Sequence, residues 1–442
     1  MINLAKSVLA SAMMKADEAE VYLSRTKELT IEIYDSSVET LKEAESKGLG
    51  IRVFIGHNVG FAFTSDLSAE SIEKTVDMAL QNTSFTHGDE YMGVAEKSNI
   101  AYPEISFDEA LEHIPLEKKI DLALLAEESA KKFDDRITKI ESCGYEDVIS
   151  EEVILNSKGI EVISKANYCG LYVSLLAVEN GDTQTGFAID FKRNFEQIDA
   201  ERCGKEAAQK AVELLGARTI HTQNLPLIFD PYTTTNLLGV MASSFSAENV
   251  LKGKSILKGK LNQQIMSESI SIIDDGAMPD GIMSASADAE GLPTRTNILV
   301  EKGILKTFLH NHYTAKRAQT QSTGNATRSG YAGTVGVGTT NLYIAGGSRT
   351  ENEMIKSVDR GLYVTSLLGV HTANPITGDF SIGASGRLIE SGEKTIPVRG
   401  VVISGNLLSM FRDIQEVGNN VTFFAGKGAP SIRTGNITVS GD

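Results

Sequence analysis

The sequence contains none of the short motifs that mark the commonest hydrolase and nucleotidase sites. None of its seven histidines is followed by glutamate, so neither HExxH nor HExxxH is present. There is no GxxxxGK[ST] segment, which excludes a P-loop NTPase. The stretch Gly383-Ala384-Ser385-Gly386 is one residue short of GxSxG, and no histidine partner is implied, so a serine hydrolase lacks support.

The sequence has only three cysteines, and their spacing does not indicate a disulfide or a metal site. Cys143, Cys169 and Cys203 are far apart and odd in number, and no CxxC pair exists. This usage is typical of a reduced, cytosolic protein rather than of a disulfide scaffold. We expect all three to be small, buried, apolar side chains.

Positive charge is in deficit. The chain of 442 residues has 42 lysines and arginines against 58 acidic residues, a formal net charge of −16. An acidic surface repels phosphates, which predicts no direct contact with nucleic acid or with an anionic membrane. No apolar run approaches the ~20 residues that span a bilayer. The first 20 residues indicate an amphipathic helix rather than a signal peptide, so we place the protein in the cytoplasm.

The pattern of the chain changes near residue 220. Before it, helical periods at 2–16, 116–133 and 200–215 alternate with strand-like runs. After it, the sequence is rich in glycine and in strands. We therefore predict an α+β protein: residues 1–220 form an N-terminal α/β domain with an antiparallel sheet, and residues 221–442 form a C-terminal β-rich domain.

Strand signals are densest between residues 20 and 64. Leu29, Ile31 and Ile33 alternate with polar neighbours, which is typical of a half-buried antiparallel strand. Glycines at 48, 50, 56 and 60 divide the region, and we expect turns or bulges there. The segment is thus predicted to hold five short successive strands.

Asp230 and Pro231 predict a helix start, because aspartate caps free backbone N–H groups and proline suits the first helical position. No acid, base or ligand precedes Glu248 on this helix. Its apolar residues fall on one stripe: Leu237, Leu238, Met241 and Phe245.

His310 and His312 form the pattern HxH in a segment predicted to be a strand, FLHNHY. Residues two apart in a strand face the same side, so two imidazoles could share a metal, with a third ligand such as Asp275. The plainer interpretation is a pair of surface or hydrogen-bonded histidines.

The acidic cluster Asp274, Asp275, Asp280, Asp288 and Glu290 lacks the spacing of a calcium loop, and its Asp-Gly pairs favour turns. The glycines of residues 324–338 do not match a dinucleotide fingerprint. We expect that segment to be a flexible loop that closes over or lines a groove.

Nearly the whole chain resembles the TldD/PmbA family, whose members are historically labelled modulators of DNA gyrase. In the N-terminal part the similarity rests on residues 48–68, GLGIRVFIGHNVGFAFTSDLS. The stretches STGNA and ISGNLLSMFRDI are similar to the PmbA branch, also called TldE. Four collinear stretches of the C-terminal part carry the remaining similarity: 289–317, 321–330, 340–347 and 374–419.

The resemblance implies a comparison of metal sites. TldD-type chains hold zinc with HExxxH on the helix after the domain boundary and with a cysteine near the C-terminus. Zinc needs nitrogen or sulfur donors, and a glutamate serves as base for its water. Here the first histidine falls on Gly239, the glutamate on Val240, the second histidine on Ser244 and the cysteine near Ala425. We therefore expect no catalytic, cofactor-binding or metal-binding residue and no cofactor.

The resemblance also implies a partner. It predicts a non-catalytic subunit that pairs with a TldD-type chain, or with a second copy of itself, in a peptidase that trims extended peptides inside a closed chamber. Such peptides are expected to add a strand to an exposed sheet edge. Two alternatives stay open: a regulatory protein acting on gyrase or a toxin–antitoxin pair, and a hydrolase with a metal relocated to His310 and His312.

Overall fold

The computed structural model describes the whole chain, Met1–Asp442. Residues 2–212 build one antiparallel sheet of six strands in the order β3-β2-β1-β4-β5-β6, and four helices pack on it. The elements are α1 (Ile2–Ala12), β1 (Glu18–Tyr34), β2 (Ser37–Ile55), β3 (Asn58–Thr64), α2 (Ala69–Asn82), α3 (Leu116–Lys131), β4 (Ile137–Asn156), β5 (Glu161–Glu179), β6 (Asp182–Lys192) and α4 (Ala200–Val212).

The five short strands predicted between residues 20 and 64 are three strands, two of them long, so that prediction is wrong in number. β1 runs for 17 residues and β2 for 19. β1 lies between β2 and β4 and pairs with both along nearly its whole length, which keeps it extended across the polar stretch that separated the predicted pieces.

Two of the glycines predicted as turns or bulges lie instead inside β2. A Cβ on Gly48 would lie 2.5 Å from the ring of Tyr331, and one on Gly50 would lie 2.3 Å from the carbonyl oxygen of that residue. These positions lack side chains because a distant segment packs on them, not because the strand ends. Gly56, with φ of +59°, does form the turn before β3.

All four N-terminal helices cover the same face of the sheet. α1 and α2 pack on one half, around Val21 and Leu49, and α3 and α4 pack on the other half, around Ile31 and Val173. The three cysteines are buried, as predicted, and all three lie in the core between the sheet and helices α3 and α4, with Cys203 on α4 itself. Burial raises the pKa of each thiol to about 12.

The C-terminal region is β-rich, as predicted. Its two six-stranded sheets have the orders β16-β15-β14-β7-β20-β17 and β10-β9-β8-β13-β19-β18, and they enclose one apolar core with α5. The strands are β7 (Gln223–Phe229), β8 (Ile272–Asp275), β9 (Thr296–Glu301), β10 (Ile304–Leu305), β11 (Ala326–Thr327), β12 (Gly336–Val337), β13 (Leu342–Ile344), β14 (Arg360–Leu368), β15 (Asp379–Glu390), β16 (Glu393–Asn406), β17 (Ile414–Val417), β18 (Thr422–Phe424), β19 (Lys427–Ala429) and β20 (Ile432–Ser440). The helices are α5 (Pro231–Ala242), α6 (Ala247–Leu251), α7 (His312–Arg317), α8 (Glu351–Lys356) and α9 (Leu407–Arg412).

The α+β prediction is thus confirmed, with strands in both halves and the three longest helices, α2, α3 and α4, in the first. The boundary at residue 220 stays a prediction; it falls between the end of α4 and the start of β7. No helix of the protein has both the length and the apolar character needed to cross a bilayer.

The C-terminal domain packs on the sheet face that the helices leave free. Tyr22, Ile154 and Val162 of the sheet form an apolar cluster with Ala287, and Tyr331 packs against it. The hairpin formed by β11 and β12 carries Tyr331 across this boundary. The two domains are therefore joined through a buried contact.

A buried group of ions crosses the same boundary. Glu20, fully buried in β1, accepts hydrogen bonds from Arg52 of β2 and from Arg328 of the C-terminal hairpin. Arg52 also donates to Glu290 at 3.2 Å. Burial by itself would raise the pKa of Glu20, but the two guanidinium groups lower it below its usual value. We call these four residues the interdomain ion network.

We predict that Arg328→Met destabilises the protein by about 3 kcal/mol, because removing one partner of a buried ion group leaves a charge poorly compensated. Urea denaturation measures the change. Arg25→Met is the control, because Arg25 forms an exposed pair with Glu45 and should shift the midpoint little. Equal shifts for the two variants would contradict the prediction.

Candidate functional site

Helix α5 is the element on which the resemblance places the zinc motif. β7 ends at Phe229, and Asp230 then accepts hydrogen bonds from the backbone nitrogen and the hydroxyl of Thr233, both at 2.7 Å. Pro231 occupies the first turn. The predicted helix start is therefore confirmed, and the predicted apolar stripe lies in the C-terminal core.

A hairpin lies against α5. β18 and β19 are joined through Ala425, which is exposed and has φ of +53°. The rings of Tyr232 on α5 and Phe424 on β18 meet edge to face with centroids 5.1 Å apart. The tertiary structure thus brings together the two segments, far apart in sequence, that the resemblance pairs as sources of zinc ligands.

The residues at these positions do not fit a zinc ion. A Cβ on Gly239 would lie 3.7 Å from two side-chain carbons of Lys427, so a lysine from β19 flanks the first position. Val240 packs against the core. Ser244 lies beyond the end of α5, is fully buried and donates to the carbonyl oxygen of Pro375 at 3.2 Å. No imidazole, thiolate or carboxylate occupies any of the four positions.

The prediction that His310 and His312 share a strand is wrong. His312 is the first residue of α7, and His310 lies outside any regular element. β10 already ends at Leu305, and Asn311 and Thr314 form a capping box that starts α7 at His312. The two residues therefore lack the common direction that alternation along a strand would give.

Each of these histidines has separate surroundings. His310 is buried, and its Nδ1 has no hydrogen-bond partner within the protein. The backbone nitrogen of His312 donates to Glu290 at 2.8 Å. Burial lowers the pKa of both imidazoles. The structure contains no group of three or more histidine, cysteine, aspartate or glutamate side chains arranged to hold a metal ion.

The acidic residues proposed as turn formers organise loops. Asp274 accepts hydrogen bonds from Asn325 at 2.6 Å and from the backbone of Thr340 at 2.7 Å. Asp288 accepts three backbone N–H groups, including that of Ala326 at the start of β11. Burial, and then the charge of Glu290, raise the pKa of Asp288 to about 7. Sequence reasoning missed the pairing of Glu290 with Arg52, since no local pattern indicates a partner 238 residues away.

Three clefts lie between the domains. One, of about 670 Å³, is lined by Phe61 and Phe85 from the first domain and by Thr334 and Val335 from the glycine-rich loop. The loop therefore lines a groove, as predicted. The second cleft, of about 660 Å³, lies between β6 and the β18–β19 hairpin. The third, of about 560 Å³, is lined by Lys158 and His312 among others.

Family models describe almost the entire chain. The first domain of the PmbA/TldA metallopeptidases matches residues 19–83, their central domain matches residues 109–215, and their C-terminal domain matches residues 222–441. These matches cover α5 and the hairpin as well as the six-stranded sheet.

Individual relatives agree with the models. The metalloprotease PmbA of Escherichia coli O157:H7 is 31% identical over 94% of this chain and 90% of its own length. A proposed modulator of a DNA gyrase from Thermotoga maritima superposes with a TM-score of 0.92, with 29% identity and 99% of each chain covered. TldE from Thermococcus kodakarensis shares the fold, with a TM-score of 0.91, 24% identity, and 99% of this chain and 100% of its own covered.

We predict that Asp230→Asn flattens the pH dependence of stability. Burial raises the pKa of Asp230 to about 6, so between about pH 4 and pH 6 the folded protein keeps a proton that the unfolded chain has lost. This group's contribution to stability is full below the unfolded pKa and declines, by about 3 kcal/mol, as pH rises through that window. Asparagine still caps the helix but does not titrate.

The free energy of unfolding, measured by urea denaturation at several pH values, gives the difference between variant and wild type. That difference should grow in favour of the variant as pH rises through the window and should be constant above it. Parallel curves would show that Asp230 does not titrate as expected.

Proposed function

The chain belongs to the PmbA/TldD metallopeptidase family, and we propose on that premise that it is the PmbA-type subunit of a two-chain zinc peptidase. In this proposal a TldD-type chain supplies the zinc and the catalytic groups. The present chain binds no metal, forms part of the peptide chamber and cleaves nothing alone. No nucleic acid or membrane takes part.

The observation that carries the proposal is the packing of Lys427 beside Gly239. The site aligned with the zinc motif has no imidazole, thiolate or carboxylate, and the aliphatic part of a lysine side chain lies against its first position. A nearby ammonium group would also repel a divalent cation. α5 and the hairpin, the two segments that the resemblance pairs as sources of zinc ligands, are in contact. The side chains at the aligned positions, however, are not zinc ligands.

The two alternatives have less support. The relocated metal site required His310 and His312 on one strand, and they do not share one. The regulatory role rests on the description of the Thermotoga maritima relative, and no feature of the site favours it. In a homodimer of this chain, both subunits would lack imidazole, thiolate and carboxylate ligands at the positions of the zinc motif. We therefore propose a TldD-type chain as the partner.

Purification and reconstitution test the proposal. The chain alone, and mixed with a TldD-type chain from the same organism, is assayed for cleavage of an unfolded, dye-labelled protein. We expect no cleavage by the chain alone and cleavage by the mixture. Replacing the glutamate of the partner's HExxxH should abolish that activity. Lys427→Met in the present chain should preserve it. Loss of activity in the Lys427 variant, with pairing intact, would show a catalytic contribution by this chain and refute the proposal.

Metal content gives an independent prediction. After incubation with zinc and gel filtration, we expect the lone chain to hold far less than one equivalent by plasma mass spectrometry, because no three-ligand group exists. His310→Ala should leave the value unchanged. One equivalent in the wild-type chain, lost in His310→Ala, would instead establish the relocated site.

A further inference from the structure

Part of the N-terminal sheet has one covered face and one open face. In β1, β4 and β5, the residues around Ile31, Tyr145 and Leu171 are buried under α3 and α4. The alternate residues point away from these helices. The C-terminal domain covers that opposite face near Tyr22, near Ser164, whose hydroxyl lies 3.4 Å from that of Ser286, and at the β6 edge, where the rings of Phe187 and Tyr232 lie 6.5 Å apart. Farther along the strands the side chains remain partly exposed.

The open part has a flat aromatic floor. Gly144 lies opposite Tyr172, and Gly170 lies opposite Phe191. A Cβ on Gly144 would be 2.6 Å from the Tyr172 hydroxyl, and one on Gly170 would be 2.5 Å from the Phe191 ring. Each aromatic side chain therefore packs over the glycine of the neighbouring strand. Tyr168 meets Phe191 edge to face at 6.1 Å. The rings therefore form a surface instead of standing out from the sheet.

Three carboxylates lie beside this floor. Glu28 and Glu32 of β1 and Glu146 of β4 all point to the open face. Burial, and then the charges of Glu28 and Glu32, raise the pKa of Glu146. The three charges therefore repel one another, and a ligand cation would relieve this repulsion.

The protein's own cations do not neutralise these carboxylates. Lys27 and Lys119, near the same strands, lie on the helix side and pair with Glu112 and Asp147. Lys42, opposite Thr30 on β2, is on the open face but forms no ion pair within 4 Å. An acidic, partly aromatic surface is left without a partner.

The floor continues into the second interdomain cleft. Phe191 and Ile189 line that cleft together with residues 421–425 of the hairpin, among them the exposed ring of Phe423. Three cations line this cleft: Lys192 and Arg202 pair with the buried Asp190 at 2.9 and 2.8 Å, and Arg193 is buried and donates to the carbonyl oxygens of Gly281 and Ser284. An extended chain lying on the floor would thus end at the hairpin that packs on α5.

We propose that this face, formed by Glu28, Glu32, Glu146, Tyr168, Tyr172 and Phe191, binds an extended polypeptide segment that carries lysine or arginine next to apolar side chains. The inference rests on the proposed function and specifies the class of peptide. Four neighbouring strands span about 14 Å, room for about four extended residues. A second copy of this chain is a poor occupant, because it bears a net charge of −16.

The test measures binding by the intact chain alone. Three dye-labelled unstructured peptides share the same two phenylalanines and differ in four positions, which are all lysine, all serine or all glutamate. Fluorescence anisotropy should give affinities in that order, with the lysine peptide about tenfold tighter than the glutamate peptide at low salt. The preference should shrink at about 0.5 M salt, since partly exposed charges are screened.

Variants locate the site. Glu32→Gln/Glu146→Gln should weaken the lysine peptide about fivefold and leave the serine peptide unchanged, as expected for two partly exposed ion pairs. Glu128→Gln/Glu201→Gln is the matched control. It removes the same number of charges from exposed positions on α3 and α4, which lie on the opposite side of the sheet from the proposed binding face. Equal effects of the two double variants would reduce the binding to overall charge and overturn the proposal.

Photo-crosslinking needs no variant. A lysine peptide with a benzophenone side chain should label β4, β5 or residues 421–425. Labels confined to the helix side would overturn the proposal. Loss of peptide binding on addition of a TldD-type chain that itself crosslinks to β4 and β5 would also overturn the proposal, because a subunit would then cover the face.

The two proposals fail separately. Failed reconstitution of cleavage with intact peptide binding would refute the proposed function alone, and successful reconstitution without peptide binding would refute this inference alone.

Discussion

The arrangement of the two domains depends on a small group of buried charges. Glu20 lies at the centre of the domain contact with no exposed surface, and only Arg52 and Arg328 compensate it. A buried carboxylate without partners is strongly unfavourable, so the domains can close only in the orientation that brings Arg328 to Glu20. The same requirement fixes the β11–β12 hairpin, since that hairpin carries both Arg328 and Tyr331. Asp288 and Glu290 then order the loop before it.

This orientation also determines what remains available for binding. The C-terminal domain covers one half of the free sheet face and leaves the half with Tyr172 and Glu146 open. It places the β18–β19 hairpin at the end of that open half, where Tyr232 of α5 contacts both Phe424 of the hairpin and Phe187 of β6. The position of the family's metal motif and the open face are therefore neighbours across one hairpin. Under the proposed function, a peptide bound on the open face would lie close to the position of that motif.

Local signals in the sequence predicted local structure well. The capping aspartate and the proline after it predicted the start of α5, and apolar periodicity predicted α1, α3 and α4. Errors arose where distant segments decide the outcome. Gly48 and Gly50 resemble turn residues but lie in β2, because Tyr331 occupies the space above them. The error at His310 and His312 has a local cause instead: the two residues have the spacing of a strand pair, but the Asn311–Thr314 capping box starts a helix at His312.

The sequence by itself determined the fold class, the family resemblance and the residue types at the four positions that the resemblance aligns with zinc ligands, because periodicity, motif order and residue type are all properties of the linear chain. Only the tertiary structure decided which charges pair, which half of the sheet stays open, and that Lys427 lies beside Gly239. These are contacts between residues separated by tens to hundreds of positions. Their free energy depends on burial and on distance in space, and neither quantity is encoded in any local pattern.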